Sequence, residues 1–301
     1  MNTTRLAETE QNRGGWNLLL TYVALTAALL VTACQAVRPV QTAGQGEPAA
    51  VSEQVATTLT IVTHDHTFEA PSQIAGGWVR IKLTNEGAEP HHVQLVRLND
   101  GVTGEQFLSA MQETGNTAFQ LVTLAGGPGA VDTGGQQEVT VNLEPGNYFL
   151  LCFVPDAEGV PHLAHGMLAP IEVTAATGAP EPSADIEVSM VDFSFVMPDE
   201  IKPGAQTWKI LGDGAQPHEL NLIKLADGKT VEDVMHWMHA PDGPPPFANV
   251  GGMQGIDPQE AAYLHLDLTP GAYVAICHIP DPASGKAHEE LGMVRLFTVG
   301  S

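Results

Sequence analysis

Beyond residue 56, apolar and polar residues alternate with the two-residue period of half-buried strands. Val139, Val141 and Leu143 point one way and their polar neighbours the other, and Tyr263 to Leu268 repeats the pattern. Turn-forming residues punctuate these runs at Asn85-Glu86-Gly87, Asp100-Gly101, Pro145-Gly146 and Pro270-Gly271. Many short strands joined by such turns predict an all-β fold, a Greek-key sandwich or barrel. Two stretches break the period: Thr103 to Glu113 and Thr230 to His239 predict helices, each in a connection between sheets. Another departs altogether, an unbroken apolar run from Trp16 to Val31.

The pattern occurs twice. Asp65, Phe68, Pro71, Ile74 and Gly77 recur as Asp192, Phe195, Pro198, Ile201 and Gly204. Gly87, Pro90, His91, Leu95, Asp100 and Gly101 recur as Gly214, Pro217, His218, Leu222, Asp227 and Gly228. Further on, Gly126-Gly127, Leu143, Pro145-Gly146, Tyr148 and Cys152 meet Gly251-Gly252, Leu268, Pro270-Gly271, Tyr273 and Cys277. Chance does not keep Gly, Pro, Cys and His in register over such a length. The chain is therefore read as two tandem domains, 57–174 and 185–301, joined by a Pro-rich linker at 175–184.

Composition places these domains. Apolar residues make up 43% of the 301, enough for two packed cores. Lys and Arg number 12 against 35 Asp and Glu, a net charge of −23. Such a surface repels nucleic acid and anionic lipid headgroups and favours cationic partners. The apolar run after Arg5 and Arg13 is short for a membrane span and long enough for a signal h-region. It ends in Val31-Thr32-Ala33-Cys34, which resembles a bacterial lipobox. That resemblance implies a signal peptide over 1–33, lipidation of Cys34, a tether over 34–56, and an extracytoplasmic, membrane-anchored protein.

The remaining cysteines, Cys152 and Cys277, do not read as a disulfide framework, because the count of three is odd and the spacing wide. Each instead opens a matched set: Cys152, His162 and Met167 with the earlier His91; Cys277, His288 and Met293 with His218. One thiolate, two imidazoles and a weak thioether form the trigonal donor set of an electron-transfer copper site. Soft sulfur favours Cu(I) and imidazole accepts either oxidation state, so geometry changes little on electron transfer.

The Asn85…Pro90-His91 strand, Cys-x9-His-x4-Met in copy one and Cys-x10-His-x4-Met in copy two resemble plastocyanin-like blue copper proteins, the cupredoxins. The resemblance covers nearly all of both domains. It implies a cupredoxin Greek key with a type 1 copper in one or both copies. The Cys-to-His step is longer than in plastocyanin and similar to that of copper nitrite reductases. Where small blue copper proteins often carry Asn after the first ligand, this chain has His92 and Glu219. Copy two also lacks the strand Asn, having Gly212-Asp213-Gly214.

Other histidines are read more plainly. His64-Asp65-His66 would place two imidazoles on one strand face, as surface residues or a minor metal-loading site. His165 is an alternative fourth ligand with no histidine counterpart in copy two (Leu291). His236 and His239 are expected on a polar helix face, Met235 and Met238 in helix packing. In nitrite reductases and laccases a His precedes the Cys and links to a second copper; here Leu151 and Ile276 stand there. The sequence therefore predicts no enzyme but an electron carrier, with Val160-Pro161-His162 near the surface as an apolar docking point for a redox partner. Copper sequestration or delivery is the second reading, a metal-free scaffold or adhesion lipoprotein the third. Oligomeric state is left open.

Overall fold

A computed structural model of the chain describes residues 56–113 and 115–300. The expected signal peptide, Cys34 and most of the tether lie outside the described residues. The described residues belong to one compact unit, within Ser52–Ser301. Among them no helix is long and apolar enough to cross a membrane.

Copy one contributes β1 (Thr57–His64), β2 (Thr67–Glu69), β3 (Gln73–Ala75), β4 (Gly77–Asn85), β5 (Gln94–Leu98), β6 (Val122–Leu124), β7 (Gln136–Leu143), β8 (Gly146–Leu151) and β9 (Leu168–Thr174). Copy two repeats them as β10 (Ile186–Val191), β11 (Ser194–Val196), β12 (Glu200–Ile201), β13 (Gly204–Gly212), β14 (His218–Leu225), β15 (Phe247–Ile256), β16 (Ala261–Leu268), β17 (Gly271–Ile276) and β18 (Val294–Val299). In each copy one sheet has the order 2-1-4-7 and the other 3-9-8-5-6, counted within the copy. The two faces close into the expected β-sandwich.

Alternation explains the core. Leu59 and Ile61 on β1, Val79, Ile81 and Leu83 on β4, and Val139, Val141 and Leu143 on β7 are buried, their neighbours less so. Each such aliphatic side chain stabilises the fold by about 1.5–3 kcal/mol. Tyr148 and Tyr273 tie corners in both copies, their hydroxyls donating to the carbonyls of Glu144 (2.8 Å) and Thr269 (2.9 Å). The predicted helices form at Gly104–Glu113 and Val231–His239. Both start behind a threonine cap: the amide of Gln106 donates to Thr103 Oγ1, and that of Asp233 to Thr230 Oγ1. Each covers a small satellite core beside its own ligand sheet.

The copies are fused, and the fusion is two-fold symmetric. The homologous strands β7 and β16 pair antiparallel, Thr140 opposite Tyr263 and Glu138 opposite His265, making one eight-stranded sheet. Beside that seam, the amide of Gln254 donates to the Gly127 carbonyl (2.8 Å) and that of Gly129 to the Gly252 carbonyl (2.9 Å). A single apolar core therefore runs through both copies. At the seam, a Cβ on Gly251 would overlap the Gln137 side chain of copy one, and the second glycine of each pair lies tight against its own copy's backbone. Gly127 and Gly252 sit at φ +135° and +124°, where a Cβ would come within 2.0 Å of the Val93 carbonyl oxygen and 2.2 Å of the Leu220 carbonyl oxygen. Replacing Gly252→Ala is expected to cost roughly 2–4 kcal/mol, from overpacking plus backbone strain. Chemical denaturation checks this, and an unchanged midpoint would contradict the role assigned to the glycine.

His265 is clamped at the same seam, its Nε2 2.9 Å from Thr140 Oγ1 of copy one and its Nδ1 3.2 Å from Thr207 Oγ1 of copy two. Burial, with Arg80 nearby, pushes its pKa down to about 4. The folded state thus binds this proton less well than the unfolded chain does. The stability it contributes is full above about pH 6.5 and is lost as pH falls towards 4. Melting temperature measured against pH should fall across that window, and less steeply in His265→Gln. Equal slopes in the two proteins would count against His265 as a source of acid sensitivity.

Candidate metal centre

Each centre is built from two places on its ligand sheet. His91 stands where the chain enters that sheet ahead of β5; Cys152 follows β8; His162 and Met167 flank a tight turn before β9. The turn is held by its own backbone: the Leu163 amide donates to the Cys152 carbonyl (2.8 Å), and the Met167 amide to the His162 carbonyl (3.0 Å). Copy two repeats both bonds, from Glu289 to Cys277 and from Met293 to His288. Gly166 and Gly292 close the two turns at φ +93° and +107°.

The structure brings the expected donors together. In copy one, Cys152 Sγ lies 3.9 Å from His91 Nδ1 and 3.6 Å from His162 Nδ1, and the two Nδ1 atoms are 3.1 Å apart. In copy two, Cys277 Sγ is 3.3 Å from His288 Nδ1, and the Nδ1 atoms of His218 and His288 are 3.1 Å apart. All these side chains, with Met167 and Met293, are fully buried. A point equidistant from three atoms so spaced lies about 2 Å from each, the reach of metal–imidazole and metal–thiolate bonds.

The partners of the outer nitrogens set the ring tautomers. His218 Nε2 lies 3.0 Å from Asp192 Oδ1, and His288 Nε2 lies 3.3 Å from Gln216 Oε1. A proton on each Nε2 satisfies those oxygens and leaves both Nδ1 lone pairs facing each other beside the thiol. Copy one places Glu89 Oε2 3.1 Å from His162 Nε2 and Asp65 Oδ1 3.8 Å from His91 Nε2. Converging lone pairs repel, and a cation between them reverses the sign. Burial, together with the neighbouring His162, lowers the His91 pKa to about 4, so this ring is neutral at neutral pH. Burial raises the Cys152 thiol to about 11 and pushes Cys277 up as well. A metal ion would therefore displace a thiol proton as it binds. This donor set, two imidazoles and one thiolate in a trigonal array, fits copper.

Several contributors had no role in the sequence reading. Asp65 and Asp192, and Gly87 and Gly214, matched between the copies but were unassigned. The glycines let the carboxylates reach the ligand rings: a Cβ on Gly87 would lie 2.6 Å from His91 Nε2, and on Gly214, 2.4 Å from His218 Nε2. His92 and Glu219, which departed from the family pattern, perform one task. His92 Nε2 accepts the Phe153 amide (2.7 Å) and Glu219 Oε1 accepts the His278 amide (2.9 Å), each fastening the residue after the ligand cysteine. Asn85, fully buried, donates to the carbonyls of Glu89 and Val131 and accepts the Gly87 amide, so it braces the loop leading to His91.

Other expectations change. His64 and His66 do not share a strand face. β1 ends at His64, and His66 turns through φ +59° between β1 and β2. His165 is no fourth ligand; its Nε2 pairs with Asp156 Oδ2 at 2.7 Å. His162 does not reach the surface, being fully buried, although Val160 two residues earlier is exposed. His66 in copy one and Phe193 in copy two lie over the second ligand ring, with centroids 5.0 and 5.2 Å away. His236 and His239 are exposed on their helix, as expected, and Met238 packs into the satellite core.

Gly214→Ala is expected to abolish metal binding by copy two, because the new methyl group occupies the place of the His218 Nε2–Asp192 contact. Metal analysis should then give one equivalent fewer than in the unaltered chain, with copy one still loaded. An unchanged count would refute this account of the glycine.

No protein-family model and no curated protein matches the sequence. Among solved structures, a dithionite-reduced auracyanin from the photosynthetic bacterium Roseiflexus castenholzii aligns at 20% identity over 40% of this chain and 98% of that one, TM-score 0.28. A copper nitrite reductase from Nitrosomonas europaea aligns at 15% identity over 82% and 94%, TM-score 0.24. A multicopper oxidase aligns at 16% identity over 81% and 88%, TM-score 0.23. These similarities are low. The chain has two β-sandwich copies of the same strand order, with a His-Cys-His-Met set at the same place in each.

Proposed function

We propose that this protein is an extracytoplasmic electron carrier, lipid-anchored through Cys34, with one type 1 copper in each domain. The observation that carries this reading is the pair of Nδ1 atoms 3.1 Å apart beside a buried thiol, found in both copies. Copper, when bound, supplies a one-electron couple. The chain's residues do the rest. His91, Cys152 and His162, with His218, Cys277 and His288, bind through donors already in place, so little rearrangement accompanies a change of oxidation state. Met167 and Met293, buried and close to these groups in sequence, would add a weak thioether donor to each centre. Asp192 and Gln216 hold the copy-two rings through Nε2, Asp65 and Glu89 face the corresponding nitrogens in copy one, and the buried surroundings exclude water. The acidic surface suits a cationic redox partner, and the exposed Val160 provides an apolar contact for it. This reading involves no catalysis.

One observation favours copper sequestration or delivery as a second reading. Every ligand imidazole is fully buried, which protects a bound ion better than it exposes it to a partner.

Adding copper(II) to the purified chain is expected to produce an intense visible thiolate-to-copper absorption that saturates at about two equivalents per chain. Cys152→Ser and Cys277→Ser should each remove about half of it, and the double variant all of it. Tight copper(I) binding without that absorption would move the assignment to sequestration. A chain that takes up no stoichiometric copper would rule out both.

A further inference from the structure

Copy one differs from copy two at three positions that are far apart in sequence and adjacent in space. His66, Glu89 and His165 stand where copy two has Phe193, Gln216 and Leu291. Each is a metal-binding side chain replaced by one that binds metal weakly or not at all. In copy one they gather on the outer side of His162. Glu89 Oε2 lies 3.1 Å from His162 Nε2 and 3.8 Å from His66 Nε2, and these donor atoms all fall within 4.8 Å of one another. His165 stacks on His66, ring centroids 4.6 Å apart and planes 17° apart, and is itself anchored on Asp156.

We propose that His66, Glu89 and His162 form a second cation site in copy one, for a divalent ion of the Zn2+ or Cu2+ class. Covering the ligand ring does not require these residues. Phe193 covers His288 from the same left-handed position, φ +62° against +59° for His66, and Gln216 caps His288 Nε2 with a neutral oxygen. An imidazole and a carboxylate therefore exceed what the cover needs. Two of the donor nitrogens are also orphaned: His66 Nε2 and His162 Nε2 are shielded from solvent and make no hydrogen bond of proper geometry. Two imidazoles and one carboxylate, with a fourth position open to water, form a familiar zinc set. His66 and Glu89 remain about one-third exposed, with side-chain accessibilities of 35% and 36%, which leaves an entry path. His165 positions the His66 ring and Asp156 fixes His165.

Equilibrium dialysis of the full chain against Zn2+ tests this. His66→Phe/Glu89→Gln copies the arrangement that copy two already tolerates, and it should bind one zinc fewer per chain than the unaltered protein. The reverse transplant into copy two, Phe193→His/Gln216→Glu/Leu291→His, should bind one more. An unchanged count in a folded His66→Phe/Glu89→Gln protein overturns the site. If that protein fails to fold, the transplant decides, and no gain there overturns it. The zinc count is read whether or not the chain takes up copper, so the failure of this site and the failure of the carrier reading are separate results.

Discussion

Two neutral imidazoles do not choose to face each other at 3.1 Å. Here two such pairs do, each beside a thiol that burial keeps protonated. Much of the surrounding structure holds this arrangement in place. Oxygens stand on the far side of the rings, and in copy two they hold the Nε2 protons. Gly87 and Gly214 clear the way for two of those oxygens. His92 and Glu219 pin the backbone beyond the cysteine. The turn to the methionine is laced by its own amides. A cation between the Nδ1 atoms would turn that repulsion into attraction, so the fold presents a preorganised donor set.

That packing is shared between the domains. The Pro-rich linker at 175–184 suggests two beads on a string, yet β7 and β16 pair as one sheet and a single core crosses the boundary. Side chains complete the seam. Gln137 donates to the His265 carbonyl and accepts the Gly252 amide, while Gln94 donates to the Gly255 carbonyl. Buried polar groups matched this closely oppose sliding, since any shift leaves several of them unsatisfied. The two centres therefore share one continuous frame of sheet and core.

Within that frame the copies have diverged, chiefly in what surrounds the ligands. Copy one keeps Asn85 as a brace and adds His66, Glu89 and His165 outside its centre. Copy two has Gly212, Phe193, Gln216 and Leu291, and ties His278 to Glu289. The inner donors are the same and the shells differ, which is how one duplicated site acquires two sets of properties.

The sequence alone marked the duplication, the strand-rich fold and eight candidate ligands, six of which the structure gathers in two groups of three. Alternation reports which face of a strand is buried, and recurrence of Cys, His and Met at fixed steps reports a common chemistry. It also marked Asp65 with Asp192 and the Gly-Gly pairs as shared, though without a role. It misjudged His64 and His66, because alternation cannot reveal that the chain turns through positive φ at His66. Only the tertiary structure decided which oxygen caps which ring, that β7 joins β16, and that His66 and Glu89 meet His162. Those contacts link residues distant in the chain, and they depend on how sheets and loops come together in space. No local period in a sequence encodes that.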